Sequence, residues 1–467
     1  MGNYIYRRRR STEVRIGNLL LGGDNPVRLQ SMTNTRTTDI SGSARQVCEI
    51  AKAGADLVRL TTQGVREAAA MADIKSAVRE AGIDVPLVAD VHFNPEAAFK
   101  AAETCDKVRI NPGNFADPVH RFKNIDYTDD EYRRELDRLR LKLVPFLEKC
   151  RENGTAIRLG VNHGSLSDRI VSRYGDTSKG MVESLMEYLR ICRDEDFRNV
   201  VLSIKASNVI VMVQTVRLLV KAMEKEGMAY PIHLGVTEAG NEDDGRIKSA
   251  AGIGTLLAEG IGDTIRVSLS ESPEREIPVA GLLRDYILSA EHHSRLNDVL
   301  KDFKEGDAPM PVATLSYPDG DREEIMVKAA ADFGYLVLNG YADDIRLEAP
   351  ALDDDDRKSI EDSIMQALRR RFTKPDYIAC PSCGRTLFNL EQTLARVKQA
   401  TAHLKGVKIG VMGCIVNGPG EMADADYGYV GAAPGKVSLY RGQELIRKNI
   451  PEEEAVDALL ELINSEE

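Results

Sequence analysis

The sequence contains no apolar run that approaches 18 residues, the length that a membrane-spanning helix requires. No apolar stretch of the kind found in secretory signal peptides follows the charged N-terminal segment 1–14. Cysteine is scarce and odd in number, with seven residues in 467, which disfavours a disulfide framework and favours a reducing compartment. We therefore expect a cytoplasmic protein with no membrane partner.

The sequence also lacks an excess of positive charge, because its formal net charge is −11 at pH 7. A protein of this charge has no bulk electrostatic attraction for nucleic acid, so we expect no nucleic-acid partner. The arginine run 7–10 is interpreted as a solvated arm. Any anionic ligand must then be bound by a local cluster of basic residues.

A repeating pattern is present between residues 27 and 270: a β-branched apolar run, a polar loop and an amphipathic helix. Because parallel strands need a crossover helix between them, the alternation predicts a parallel sheet. Eight repeats in about 250 residues match the size of a TIM (β/α)8 barrel, and a doubly wound open sheet is the second possibility. The predicted strands are 27–33, 56–61, 85–93, 107–114, 156–162, 200–207, 231–240 and 263–270.

Two further segments follow the repeats. Segment 285–373 has a strand–helix–strand pattern, and its last helix begins with acids and ends with arginines, which stabilises a helix. Segment 374–467 places two cysteine-containing loops after predicted strands. We predict an α/β protein with three domains: a barrel that binds the substrate (1–284), a small α/β insert (285–373) and an α+β domain (374–467).

Polar side chains occur at or just after the carboxyl ends of the eight predicted strands, where barrel enzymes have their active sites. A single arginine there ordinarily forms a structural ion pair. Several cations at one mouth would repel one another unless an anion lay between them. The paired N–H donors of an arginine guanidinium match the spacing of phosphate oxygens. We infer a small phosphorylated ligand, with a diphosphate favoured. The candidate residues are Arg36, Arg59, Asp90, His92, Arg109, Asn111, Arg158, Asn162, Lys205, Thr237, Glu238, Arg266 and Ser268.

Three of these candidates carry titratable groups suited to proton transfer. Asp90 and His92 are two positions apart on one strand, so they share a face. His92 is a candidate phosphate ligand or acid, and a histidine held by the backbone in the core is the other interpretation. Glu238, at the end of the seventh strand, is a candidate proton source.

Three of the seven cysteines lie among glycines and prolines: Cys380 and Cys383 in CPSCG, and Cys414 in GCIVNGPGE. A CxxC pair alone fits zinc, but a zinc ribbon needs a second pair or nearby histidines. Three thiolates with an oxygen ligand or an open fourth corner suit a [4Fe–4S] cluster, and Glu421 is the nearest oxygen donor. The spacing favours iron–sulfur over zinc. The remaining cysteines are expected to be buried free thiols: Cys48, Cys105, Cys150 and Cys192.

The strand-end motifs and the cysteine loops together resemble the 4-hydroxy-3-methylbut-2-enyl diphosphate synthase family. The motifs are QSMTNTRTTD, LVADVHF, RINPGN, GVNHGSL, IKAS, LGVTEAG, GIGDTIRVSL, ACPSCGR and GCIVNGPGE. The resemblance implies a TIM barrel joined to a ferredoxin/sulfite-reductase-like domain with one [4Fe–4S] cluster. It also implies a homodimer in which the cluster meets a barrel mouth, generally that of the partner chain.

The resemblance further implies a reductive ring opening and dehydration of 2-C-methyl-D-erythritol 2,4-cyclodiphosphate to (E)-4-hydroxy-3-methylbut-2-enyl diphosphate, in the methylerythritol phosphate pathway to isoprenoids. Because the chain lacks a flavin or nicotinamide fingerprint, the two electrons must come from outside the chain, and the resemblance implies ferredoxin or flavodoxin as the donor. The implied cluster ligands are Cys380, Cys383, Cys414 and a displaceable Glu421. The implied substrate contacts are Arg59, His92, Arg109, Arg158, Asn162, Lys205, Arg266 and Ser268, with Asp90 and Glu238 beside them and Arg36 as a weaker match.

The insert departs from the family pattern. Short members have little between barrel and cluster domain, whereas a longer class carries a whole extra α/β domain, of which 285–373 resembles a shortened form. Two other functions are consistent with parts of the sequence: a phosphate-binding barrel with a structural zinc ribbon, and a dihydropteroate-synthase-like transferase. The transferase has no use for three clustered thiols, and a metal analysis separates the zinc protein from the reductase.

Overall fold

The computed structural model of the chain describes residues 4–117, 125–240, 242–304, 306–415, 420, 422 and 424–465. A short antiparallel hairpin comes first, formed by β1 (Val14–Ile16) and β2 (Leu19–Leu21). Val14, Ile16 and Leu21 pack against apolar residues of the barrel strands in one buried cluster. The hairpin therefore closes the amino end of the barrel with apolar side chains, which leaves the carboxyl end for polar chemistry.

Eight parallel strands form a single central sheet. They are β3 (Arg28–Met32), β4 (Leu57–Thr62), β5 (Leu87–Val91), β6 (Lys107–Ile110), β7 (Ala156–Asn162), β8 (Val200–Lys205), β9 (His233–Leu234) and β10 (Thr264–Ile265). Their order is β8-β7-β6-β5-β4-β3-β10-β9, and a parallel bridge between Leu202 and Ile232 joins the two ends. The prediction of a TIM barrel with these eight strands is confirmed, although β9 and β10 have only two residues each.

Helices surround this barrel, and most of them bury one face against it, whereas α9 (Glu242–Ala258) is buried on all sides from Gly245 onward. In α1, for example, Asp39 caps the amino end by accepting a hydrogen bond from the Gly42 amide, and Val47 and Ile50 are buried. The helices are α1 (Ile40–Lys52), α2 (Val65–Glu80), α3 (Pro95–Ala101), α4 (Pro112–Phe115), α5 (Asp129–Asn153), α6 (Asp168–Tyr174), α7 (Ser178–Asp194), α8 (Val209–Lys225), α9 (Glu242–Ala258), the 3-10 turn Pro273–Arg275, α10 (Glu276–Ile287) and α11 (Ala290–Leu300).

The insert contains the predicted strand–helix–strand pattern and a further helix. Its elements are β11 (Met310–Ser316), α12 (Arg322–Leu338), β12 (Ala342–Glu348) and α13 (Asp354–Ala367), with β11 and β12 parallel. Helices α12 and α13 both pack against α9. A Cβ on Gly334 would lie 2.9 Å from the Ala251 Cα, so the glycine permits the close approach of α12 to α9. The insert therefore shares the barrel's hydrophobic core, and the domain boundaries remain a prediction.

The C-terminal region is a five-stranded sheet with its own hydrophobic core. The elements are β13 (Asp376–Ala379), α14 (Leu390–Thr401), β14 (Lys408–Met412), β15 (Tyr427–Ala433), β16 (Lys436–Arg441), β17 (Glu444–Pro451) and α15 (Ala455–Asn464). The strands pair in chain order, parallel from β13 to β15 and antiparallel from β15 to β17. A C-terminal α+β domain was predicted, and the sheet and helices confirm it.

Two predictions about the rest of the chain are also tested. The four cysteines expected to be buried free thiols are buried and unpaired, namely Cys48, Cys105, Cys150 and Cys192. In the described ranges, every helix is too short or too polar to cross a lipid bilayer.

Candidate active site

The carboxyl ends of the barrel strands and the two cysteine loops line a common cavity within one chain. This places most of the predicted residues together. The barrel contributes Met32, Arg59, Asp90, His92, Arg109, Arg158, Asn162, Ser203, Lys205, Thr237, Glu238, Arg266 and Ser268, and the C-terminal domain contributes Cys380, Pro381, Cys383, Arg385, Met412 and Cys414.

Two arginines in the cavity lack adequate anionic partners. Arg158 is 1% exposed, and its Nε and Nη1 have no hydrogen-bond partner among the described residues. Arg59 donates to the Met32 Sδ, a weak acceptor, at 3.1 and 2.9 Å, and its nearest carboxylate oxygen, on Asp90, is 3.9 Å away. Burial lowers the pKa of Arg59 to about 10. Such guanidinium groups are costly to bury, so the arrangement favours a bound anion.

Asp90, His92 and Arg109 form a buried group on β5 and β6. Arg109 Nη1 donates to the His92 ring and lies 3.4 Å from Asp90 Oδ1, and its Nη2 donates to the Gly160 carbonyl at 2.9 Å. Burial and then Arg109 lower the pKa of His92 to about 3, so the imidazole is neutral near pH 7. Burial opposes ionisation of Asp90, but Arg59, His92 and Arg109 hold the pKa of its carboxyl well below its usual range.

Two more cations line the barrel side of the cavity, Lys205 and Arg266, and their surroundings differ. We call the basic residues on this side the cationic wall: Arg59, Arg109, Arg158, Lys205 and Arg266. Burial and the neighbouring arginines lower the pKa of Lys205 well below its usual value. Arg266, in contrast, donates through Nε and Nη2 to both carboxylate oxygens of Glu276, at 2.9 and 2.8 Å. Ser31 also donates to Glu276, at 2.6 Å. Arg266 is thus held in one orientation by a bidentate pair.

Glu238 has an unusual backbone conformation for a non-glycine residue, with φ of 49°. Its carbonyl oxygen accepts a hydrogen bond from the Ala379 amide of β13 at 3.2 Å. A residue in this left-handed region costs about 1–3 kcal/mol, and such strain is concentrated at functional sites. The contact between the two domains therefore helps to hold Glu238 at the edge of the cavity.

The cysteine loops meet because they follow neighbouring parallel strands, β13 and β14. The Gly413 amide donates to Cys380 Sγ at 3.2 Å, and Ser270 Oγ donates to the Cys380 carbonyl at 3.0 Å. Burial raises the pKa of Cys380 well above its usual value, and the nearby Cys383 and Cys414 raise it further. Three thiols gathered in this way ionise together only when a positively charged group lies between them.

The donor set fits an iron–sulfur cluster. In the described part of the chain, no three His, Cys, Asp or Glu side chains come close enough to hold a single metal ion. A cluster requires wider spacing between its cysteines, since each sulfur binds a different iron. Cys380, Cys383 and Cys414 all line the cavity, whereas Glu421 lies outside the described residues.

The C-terminal domain is attached to the barrel of the same chain by buried charges. Lys248 on α9 donates to Asp376 Oδ1 at 2.7 Å and to the Tyr377 carbonyl at 2.9 Å, and both ionic side chains are about one-tenth exposed. Lys374 donates to Asp244 at 2.7 Å. A parallel bridge between the residue after Glu238 and β13 adds a backbone link. The two walls of the cavity are thus connected without a second chain.

Two predicted site residues lie outside this cavity. Arg36 is exposed and lines a separate surface groove on the outer side of Cys383. Asn111 caps α4, because its Oδ1 accepts from the Gly113 amide at 3.0 Å and its Nδ2 donates to Ser165 at 3.1 Å.

The residues at the site that the sequence did not predict include Met32, Ser203, Glu276 and Arg385. Met32 lies within the motif QSMTNTRTTD, and Ser203 lies on β8 just before IKAS; both line the cavity but carry no charge that would have marked them as candidates. Arg385 follows the CxxC glycine directly, so its position in CPSCGR was a usable signal. Glu276 had no local signal, because its pairing with Arg266 depends on the path of the chain after β10.

Comparison with known proteins matches both parts of the site. The GcpE TIM-barrel domain matches residues 11–281, and the GcpE protein C-terminal domain matches residues 376–465. Proteins of Bacteroides fragilis, Phocaeicola vulgatus and Akkermansia muciniphila are 46%, 45% and 41% identical to this chain. These alignments cover 100%, 100% and 98% of this chain and 97%, 99% and 97% of the relatives.

Each of these relatives is named 4-hydroxy-3-methylbut-2-en-1-yl diphosphate synthase (flavodoxin). The alignment with the Bacteroides fragilis protein extends over 611 positions, more than the 467 residues of this chain. That relative therefore contains residues that have no counterpart here.

Proposed function

The chain belongs to the GcpE family, and from this premise we propose which of its residues perform the family's reaction. The protein is an iron–sulfur oxidoreductase of isoprenoid precursor synthesis with one [4Fe–4S] cluster. It converts 2-C-methyl-D-erythritol 2,4-cyclodiphosphate to (E)-4-hydroxy-3-methylbut-2-enyl diphosphate. In this reaction two electrons enter the substrate, a ring C–O bond breaks and one oxygen leaves as water.

One observation carries the assignment of residues: an incompletely paired cationic wall and three cysteines line the same cavity. We assign the diphosphate to Arg59, Arg109, Arg158, Lys205 and Arg266, with Asn162, Thr237, Ser268 and His92 as hydrogen-bonding neighbours. Arginine forks give the diphosphate a fixed orientation. The opposite wall, formed by the cysteine loops, excludes water from the bound substrate.

Cys380, Cys383 and Cys414 are the proposed cluster ligands, with Glu421, outside the described residues, as the fourth. When bound, the cluster supplies electrons one at a time and Lewis acidity toward substrate oxygen. Arg266, fixed by Glu276, orients the substrate toward the cysteine wall. A zinc ribbon without redox activity finds no support in the relatives, all of which are named as synthases.

We assign the proton needed for the departing oxygen to Glu238. Its carboxyl lines the cavity, and its backbone is held by the Ala379 amide next to Cys380. His92 is the less suitable donor, because its pKa is lowered to about 3 and its ring accepts a hydrogen bond from Arg109. We therefore propose that His92 and Asp90 position Arg109, and that His92 contacts the diphosphate.

The electron donor is flavodoxin in this proposal, in preference to ferredoxin, because the relatives are named as flavodoxin-dependent. A cytoplasmic location agrees with seven free cysteines, since a reducing compartment keeps thiols and iron–sulfur ligands reduced. Reduced flavodoxin should support turnover of the purified enzyme, and oxidised flavodoxin should accumulate in step with product.

The resemblance predicts a homodimer, and we propose one in which each chain completes its own site. The support is the buried Lys248–Asp376 pair, which joins the cluster domain to the barrel of the same chain. Mixing chains with Arg158→Met and chains with Cys414→Ser tests this arrangement. If each site is built within one chain, both sites of a mixed dimer carry one defect and the dimer is inactive. If sites are shared between chains, one site of the mixed dimer combines an intact barrel with an intact cluster domain, and activity is recovered. Analytical ultracentrifugation, with subunit exchange followed by a tag, shows whether mixed dimers formed.

Anaerobic purification with iron, sulfide and zinc analysis tests the cofactor. We expect about four irons per chain, visible absorption, and loss of both cluster and activity in Cys414→Ser. Cys48→Ser, at a buried cysteine away from the cavity, is the matched control and should keep both. A colourless protein with one zinc per chain would refute the assignment, as would full turnover by Cys414→Ser.

A further inference from the structure

Arg385 is the one cationic side chain that the C-terminal domain contributes to the cavity lining among the described residues. It lies two positions after Cys383 in the loop that follows β13. Its Nε and Nη1 are shielded from solvent, and the side chain faces the barrel's arginines across the cavity. Arg385 is neither a proposed cluster ligand nor one of the barrel residues assigned to the diphosphate.

The loop that carries Arg385 is packed tightly against the barrel. A Cβ on Gly384 would lie 2.6 Å from the Thr35 carbonyl oxygen, so only glycine allows this approach. On the other side of the loop, Ser270 donates to the Cys380 carbonyl at 3.0 Å. Seating of the loop therefore fixes where Arg385 enters the cavity.

Arg385 adds positive charge where positive charge is already in excess. Its charge acts on Arg59 and on His92, helping to lower the pKa of both after burial and nearer cations have done so. The cavity lining contains six cationic side chains and two carboxylates, Asp90 and Glu238. Glu276 behind the lining neutralises only Arg266. Without an anion, Arg385 itself is therefore repelled by the barrel's cations, whereas a diphosphate between them reverses the sign of that interaction.

We propose that Arg385 binds the substrate's diphosphate from the cluster-domain side, and so couples anion binding to seating of the cysteine loop against the barrel. This inference rests on the proposed function, because it requires the diphosphate to lie among the barrel's cations. Binding and seating then strengthen each other by the same factor, as thermodynamic linkage demands. The bound substrate then holds the cysteine loop more firmly in the position against the barrel that the structure shows.

Inorganic pyrophosphate is the probe, and the full-length, anaerobically purified holoenzyme is the sample. Calorimetry measures its affinity at one fixed salt concentration, and hydrogen exchange measures protection of backbone amides in residues 376–386. For the wild type we expect binding together with added protection of this loop. Arg385→Gln should bind pyrophosphate about tenfold more weakly, or about 1.4 kcal/mol, and show no added protection.

Two further variants make the result interpretable. Arg385→Lys keeps a point charge and should recover part of the affinity. Arg447→Gln makes the same substitution at a half-exposed arginine of the same domain, paired with Glu461, and should behave as wild type. Cluster absorbance and circular dichroism show whether each variant is folded and loaded.

The variant Arg158→Gln distinguishes a failure of the Arg385 proposal from a failure of the proposed diphosphate site. If it weakens pyrophosphate binding while Arg385→Gln retains wild-type affinity and loop protection, the role of Arg385 is refuted and the barrel site stands. If Arg158→Gln leaves the affinity unchanged, the proposed diphosphate site itself is refuted, and the inference about Arg385 fails with it.

Discussion

Two buried clusters of charged side chains in this molecule differ in how their charges are balanced. In the first, Asp332 on α12 is fully buried and accepts hydrogen bonds from His292, Tyr317 and Tyr286. The distances from Asp332 are 2.7 Å to both His292 Nδ1 and Tyr317 Oη, and Arg295 lies 3.5 Å away. Both carboxylate oxygens thus have partners from the chain itself.

The second cluster, at the barrel mouth, is not balanced in this way. Arg158 is buried to the same degree as the Asp332 group but leaves two guanidinium nitrogens without protein partners among the described residues. A protein tolerates such a cost at a site whose partner arrives with the ligand. The comparison teaches that burial of charge alone does not mark a functional site. Incomplete pairing of charges that line a common cavity does.

The largest expected effect is that of Arg158→Met on catalysis. Loss of a buried phosphate contact should lower kcat/KM by about 1,000-fold, while the melting temperature is unchanged or higher because an unpaired buried charge is removed. Steady-state kinetics and thermal melting measure the two quantities. Arg133→Met, at an exposed arginine of α5, is the control. A loss of stability in Arg158→Met with nearly normal kinetics would show that the barrel-mouth cluster, like the Asp332 cluster, stabilises the fold and does not bind a ligand.

The converse outcome is expected for Asp332→Ala. Removing the carboxylate leaves His292 and Arg295 without their buried acceptor, which should lower the free energy of unfolding by about 3–5 kcal/mol. Enzyme that remains folded at low temperature should keep its kcat. Urea titration compares this variant with Asp298→Ala, at an exposed position of α11. Unchanged stability would show that the Asp332 network is dispensable.

A pH effect of intermediate size is expected from His92. Its pKa is about 6.5 in the unfolded chain and about 3 in the folded one, so below pH 6.5 the unfolded chain binds a proton that the folded chain does not. Stability is therefore lost as the pH falls from 6.5 toward 3, by at most about 1.4 kcal/mol per pH unit from this group. Urea titrations at pH 7 and pH 5 should show a smaller loss in His92→Asn than in the wild type. An equal loss would mean that the imidazole is charged in the folded protein.

The smallest expected effect is that of Lys107→Met below the mouth. Lys107 is fully buried, its Nζ lies 3.4 Å from Gln30 Oε1, and burial holds its pKa well below its usual value. An apolar side chain of similar length should raise the free energy of unfolding by about 1 kcal/mol and leave kcat/KM nearly unchanged. A large loss of activity would extend the ligand site down to this layer of the barrel.

Sequence periodicity predicted the barrel because each strand and helix is encoded by neighbouring residues. The apolar alternation that defines β7, for instance, is contained within seven residues. Strand ends also follow from this pattern, so Arg59, Arg158 and Lys205 were expected at one mouth, and they line the same cavity there. The cysteine loops were found for the same reason, since each motif is contiguous.

The remaining features depend on the path that the chain takes after each strand, which the strand pattern does not encode. Arg36 follows β3 as closely as other site residues follow their strands, but the loop path turns it to the surface. Asn111 is used to cap α4, and Arg266 owes its orientation to Glu276 of α10.

Short-range side-chain patterns specify which elements form, which loops carry the cysteines and which cations lie near the strand ends. The meeting of the cysteine wall and the cationic wall within one chain, through Lys248 and Asp376, follows instead from tertiary packing, as does the position of Glu238 beside β13. These contacts join segments separated by more than a hundred residues, and no local pattern records them. The motif CPSCGR marks Arg385, but the packing of its loop against the barrel is what brings the side chain into the cavity.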